Sequence, residues 1–196
     1  MNFLAHAYLS FQHPQILVGN MISDFVKGAA KDRYPNDVRQ GIMLHRAIDD
    51  FTDTHAATKK AKEIFRPHYR LYSGALMDVI YDHFLANDKE IFGEGGLKPF
   101  TQTVYRVLEE HTTQLPERFV QVLSYMKMDD WLYHYKYETG IERSLRGLVR
   151  RAVYLSESHT AYQLFLDHYP FLQDCYNEFF PDVKQFAKQR FEKLLL

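Results

Sequence analysis

Between a few Gly- and Pro-rich breaks, the apolar positions of this chain follow helical spacing. No stretch alternates apolar and polar for long enough to propose a strand. The breaks are His13-Pro14, Tyr34-Pro35-Asn36-Asp37, Arg66-Pro67, Gly93-Glu94-Gly95-Gly96, Leu115-Pro116, Tyr169-Pro170 and Phe180-Pro181. The pattern between them predicts roughly seven or eight helices. They cover about 15–30, 36–58, 59–66, 68–87, 97–113, 116–128, 130–136 with 140–157, and 160–193 broken near Pro170 and Pro181. Asn36 or Asp37 is placed to cap the second, and Glu117 puts a carboxylate in the first turn of another. The expected fold class is all-α: a helical bundle forming one domain over residues 1–196.

Polar residues interrupt the apolar pattern in a way that needs a reason. The stretch from Leu71 to Leu85 is apolar on nearly every face, as buried helices are. Yet Leu71, Ala75, Asp78, Asp82 and Leu85 share one stripe. Two carboxylates one turn apart in apolar surroundings repel each other and are costly unless neutralised by protons, basic partners or a cation. On 36–58, Ile42, His45, Asp49, Thr52 and Ala56 form a second stripe, so His45 and Asp49 face the same way. Asp24 lines up with Leu17, Met21 and Gly28, and His6 sits among Phe3, Leu4, Ala5, Ala7 and Tyr8. Imidazole and carboxylate sets without thiolates suit Mn²⁺, Mg²⁺, Fe²⁺ or Zn²⁺, and helical bundles build such sites from residues projecting off facing helices. The residues alone leave two readings open: a shared metal site, or hydrogen-bonded core histidines with local His–Asp contacts.

Composition narrows the classes. Of 196 residues, 46% are hydrophobic, which excludes disordered and low-complexity chains. The single Cys175 excludes an intrachain disulfide framework and cysteine-based metal sites and suits a reducing cytoplasm; near His168, it reads as a buried packing thiol. No apolar run approaches the ~18–20 residues of a membrane span, and the start of the chain lacks a secretory pattern, so a cytoplasmic location is expected. A net charge of −1 gives no general attraction to nucleic acid. There is no glycine-rich phosphate loop and no Gly-x-Ser-x-Gly elbow.

Several segments carry a family resemblance: Met1-Asn2-Phe3-Leu4-Ala5-His6, Gly19 to Gly28, Gly41 to His55, Tyr72 to Leu85, and Asp129-Asp130-Trp131-Leu132 through Tyr135 with Gly140-Ile141. In this order they resemble the acyl carrier protein phosphodiesterases, a divergent branch of the HD-domain metal-dependent phosphohydrolases. Ala56, where members often carry Pro, and Asn87-Asp88-Lys89, without the expected Trp, depart from the pattern.

The resemblance implies an HD-domain-like bundle and Mn²⁺-assisted hydrolysis of the phosphodiester joining 4′-phosphopantetheine to a serine of acyl carrier protein. It implies Asp24, His45, Asp78 and Asp82 as leading ligands, with His6, Asp49 and His83 as second choices. Asp49 or His83 would assist proton transfer, and Arg46 would hold a phosphate oxygen or else form a surface salt bridge. His83 would otherwise orient a neighbouring ligand or meet the scissile phosphate.

An acidic carrier protein calls for a basic face. Two runs qualify: Lys59, Lys60, Lys62, Arg66 and Arg70, and Arg143, Arg146 and Arg150 with Arg151. Solvated helix surface is the competing reading for both. Two other functions stay open at this level: an HD-type hydrolase of a nucleotide or other small phosphoester, and a non-catalytic helical binding protein with a polar core network.

Overall fold

The structure, a computed structural model, describes residues 1–194, and no β-strand occurs among them. The chain forms α1 (Phe3–Tyr8), α2 (Pro14–Ile22), α3 (Asn36–Thr54), α4 (Ala56–Tyr69), α5 (Ser73–Ala86), α6 (Lys89–Phe92) and α7 (Leu97–Glu110). It continues through α8 (Glu117–Met128), α9 (Trp131–His134), α10 (Glu138–Arg151), α11 (His159–Asp167) and α12 (Tyr169–Leu194). The apolar side chains form one continuous core. As its near-uniform apolar sequence requires, α5 lies inside it, packed by α1, α4, α10 and α12. No helix among the described residues is long and apolar enough to cross a membrane.

Helix ends differ from expectation where tertiary packing overrules local signals. The helix expected over 15–30 stops at Ile22 and continues as tight turns, Ser23–Phe25 and Gly28–Arg33. Gly28 has a φ of 54°, which ends any regular helix there. Pro67 and Pro181 do not break their helices. Both are exposed, so the carbonyl each leaves unpaired faces water, while the buried faces continue past them through Phe65 and Tyr69, and through Phe180, Val183 and Ala187. The break expected at Arg66-Pro67 falls instead at Arg70, whose φ is 45°. Neither Asn36 nor Asp37 caps α3, which follows Pro35 without a side-chain cap. Helix α1, absent from the sequence pattern, starts at Asn2, whose side chain accepts from the Phe3 N–H.

Helices α2 and α3 cross with backbones almost touching. A Cβ on Gly19 would lie 2.0 Å from the Val38 carbonyl oxygen, and one on Gly41 would lie 2.3 Å from that of Ile16. Only glycine permits this approach, and it brings the last turn of α2 beside His45.

Candidate metal centre

Close packing of α2 on α3 gives Asn20 two tasks. It lies in the last turn of α2, where backbone carbonyls lack partners within the helix. Its carbonyl oxygen is 2.7 Å from His45 Nδ1, and its side-chain oxygen is 2.8 Å from His6 Nδ1. The amide orientation is fixed because Nδ2 donates to the His6 carbonyl at 2.9 Å and to Ser10 Oγ at 3.0 Å. Both oxygens facing the rings can only accept, so each Nδ1 must carry the proton. Each Nε2, when the ring is neutral, therefore carries a lone pair, and that of His6 also lies 3.2 Å from the Met1 carbonyl oxygen.

Those two lone pairs converge on carboxylates. The imidazoles stack at 3.8 Å between centroids and 14° between planes. His6 Nε2 lies 3.2 Å from Asp49 Oδ1, while His45 Nε2 lies 3.1 Å from Asp49 Oδ2 and 3.3 Å from Asp24 Oδ1. Neutral imidazole nitrogens facing carboxylates set lone pair against lone pair. A cation relieves the conflict, whether a proton or a metal ion. Burial pushes His45 down, but hydrogen bonds to Asp24 and Asp49 outweigh it and raise it to about 9. Burial, reinforced by the charge of His45, pushes His6 down to about 4. Burial alone would raise Asp49, yet its bonds to His45 and His6 hold it well below the usual carboxylate range. His6, His45 and Asp49 each present a ligand atom within 4.8 Å of the others, and Asp24 reaches the same nitrogen of His45. The donor set suits a borderline or hard divalent cation.

The paired carboxylates of α5 find separate partners. Asp78 Oδ1 accepts from the Met1 ammonium at 2.8 Å, which is also 3.4 Å from Asp49 Oδ1. Burial would lower the ammonium pKa, but Asp78 and Asp49 raise it to about 10. Asp82, the other expected ligand on α5, has backbone partners. Fully buried, it accepts the Leu4 N–H at 2.7 Å and the Ala5 N–H at 3.1 Å, so both its oxygens cap the first turn of α1. Burial raises it to about 7 against the pull of those N–H groups.

Two further residues sit apart from their expected places. His83 lies ~100° around α5 from Asp82. Its Nδ1 meets the Tyr135 carbonyl at 2.7 Å and its Nε2 meets the Tyr169 hydroxyl at 3.1 Å, among Phe84 and Phe165. Both nitrogens are thus engaged in the aromatic core, and neither is bonded to His6, His45 or Asp49. Arg46 donates to the Val26 carbonyl at 2.9 Å, bracing the turn that holds Asp24. Sequence reasoning gave Asn20 no role. The signal was present, an amide inside the apolar run Ile16–Ile22, but its partners became visible only in three dimensions.

The family model for acyl carrier protein phosphodiesterase matches residues 1–183. The chain belongs to that family. Among curated members, the acyl carrier protein phosphodiesterase of Enterobacter sp. (strain 638) is 34% identical over 191 residues, 97% of this chain and 99% of its own length. Those of Yersinia pestis and Photorhabdus laumondii are 32% and 31% identical over 191 residues, 97% of this chain and 99% and 96% of theirs. No solved structure matches the chain.

In this acyl carrier protein phosphodiesterase family member the two basic runs have different settings. On α4, Lys60 pairs with Glu178 at 3.4 Å, Lys62 with Asp53 at 2.6 Å, and Arg66 with Glu63, while Lys59 and Arg70 are exposed. Arg143, Arg146, Arg150 and Arg151 lie exposed on α10.

Proposed function

We propose that the protein is a metal-dependent phosphodiesterase that removes 4′-phosphopantetheine from the serine of holo-acyl carrier protein, leaving the apo-protein. The observation that carries the metal requirement is Asn20 holding both imidazoles with Nε2 directed at Asp49. His6, His45, Asp49 and Asp24 would hold the ion, Mn²⁺ by the family resemblance, in an HD-type bundle. A bound divalent cation lowers the pKa of coordinated water and draws charge from a phosphoryl oxygen.

The chain's own groups set the conditions for that chemistry. Both histidines are buried, whereas Asp24 is 72% exposed and the Asp49 and Asp78 side chains 39% and 33%, so the cluster opens to solvent along its acidic edge. An anionic phosphodiester arriving at three carboxylates would be repelled unless a cation outweighed them. Arg46 acts through the Val26 carbonyl, fixing the Asp24 turn. Asp82 sets the position of α1, and through it of His6. A cytoplasmic setting belongs to the same reading, since the buried Cys175 needs no oxidising compartment.

Incubation of holo-carrier protein with the enzyme and Mn²⁺, followed by intact mass measurement, tests the reading. Expected is loss of the phosphopantetheine mass, abolished by EDTA, restored by Mn²⁺, and reduced by at least ~100-fold in His45→Ala because an ion-orienting ligand is gone. No mass change with any divalent ion, or full activity in EDTA, would sink it.

A further inference from the structure

A cavity of about 550 Å³ opens between α3, the end of α4 and the start of α5. Asp53, Lys62, Arg66, Arg70, Leu71 and Asp78 are among the residues that line it. It adjoins the His–Asp cluster in two ways. Asp78 holds the Met1 ammonium that also meets Asp49, and Asp53 lies one turn beyond Asp49 on α3.

The charge of this cavity is unbalanced. Both its acids are already paired, Asp53 with Lys62 at 2.6 Å and Asp78 with the ammonium at 2.8 Å. Arg66 reaches only Glu63 on its own helix, an exposed pair that holds it weakly. Arg70 makes no ion pair among the described residues. Lys59, Lys62 and Arg66 fall within ~60° on α4 by helical geometry, whereas Lys60 turns away to Glu178 on α12. Beside Arg70, whose left-handed backbone ends α4, Leu71 projects with 97% of its surface exposed. A cationic rim around a bare apolar side chain, next to a phosphodiesterase centre, matches an acidic amphipathic segment.

Resting on the proposed function, the geometry points to this rim as the docking surface for the acidic segment of the carrier protein that flanks its modified serine. Arg66 and Arg70 meet its carboxylates, and Leu71 meets an apolar residue between them. Of the two basic runs, the one on α4 serves because it borders the cluster. Arg143, Arg146 and Arg150 on α10 do not line the cavity.

Calorimetric titration of holo-carrier protein tests the assignment directly, without relying on turnover. Arg66→Glu/Arg70→Glu should weaken binding by about tenfold or more, with the loss shrinking at high salt, and Leu71→Ser by about threefold. Arg143→Glu/Arg146→Glu should change it less than about twofold. All altered side chains are exposed, so thermal melts should match the unaltered protein. Equal loss from the α4 and α10 pairs, loss from α10 alone, or no loss from α4 would overturn the docking surface. Turnover read alongside separates this from the parent reading. Binding that follows the expected pattern with no Mn²⁺-dependent release of phosphopantetheine would overturn the phosphodiesterase while leaving the surface in place.

Discussion

At the scale of single residues, the proposed metal site depends on which nitrogen of each histidine faces the carboxylates. Asn20 decides this for both rings through two acceptor oxygens, one of the side chain and one of the backbone. Asn20→Ala removes only the first, so His6 should lose its orientation while His45 keeps its own. Mn²⁺ affinity is expected to fall by about 10–100-fold, as for other residues that orient ligands, and calorimetry with Mn²⁺ alone would check it. Asp82→Leu should act differently. It strands two buried N–H groups of α1, at a cost of about 1–3 kcal/mol each, and should lower the thermal midpoint even without metal. His83→Phe should also lower stability, by about 1–3 kcal/mol, through the unpaired Tyr135 carbonyl, yet leave Mn²⁺ binding unchanged. A lost Mn²⁺ site in His83→Phe would contradict its place in the aromatic core. The sequence marked Asp78 and Asp82 as a pair needing partners, and each finds one that no periodicity reveals: an ammonium 77 positions away and the amides of a six-residue helix.

At the scale of elements, the crossing of α2 and α3 positions the cluster, because it sets the Asn20 carbonyl against His45. Gly19→Ala would place a Cβ 2.0 Å from a backbone oxygen that no side-chain rotation can move. The helices must part, which should cost about 1–3 kcal/mol or more of stability, read by denaturant melts, and weaken Mn²⁺ binding with it. An Ala variant as stable as the parent would show that the helices can separate freely. Helix existence was legible in the sequence because an apolar face repeating at helical spacing has few other ways to be buried. Helix ends were less legible. Pro67 and Pro181 locally favour breaks, but each sits on a solvent face while buried residues on both sides hold the helix together. Conversely, α1 is too short to show a period and exists because Asn2 and Asp82 pair its first amides.

At the scale of the whole molecule, residues from the chain's start, from the turn after α2 and from α3 and α5 meet at one opening, and the basic cavity lies beside it. What the sequence by itself determined is the all-α class, the Asp and His residues out of place on apolar faces, and, through family resemblance, the expected chemistry. These are properties of spacing along one strand of chain, and burial energetics reads them directly. Only the tertiary structure decided which of those residues converge. Neighbours on one stripe, Asp78 and Asp82, took different partners, and His83 turned into the aromatic core. Asn20, unremarkable in sequence, came to govern two rings. The physical reason is that a ligand's direction is fixed by the partner of its other atom, and that partner comes from a different helix.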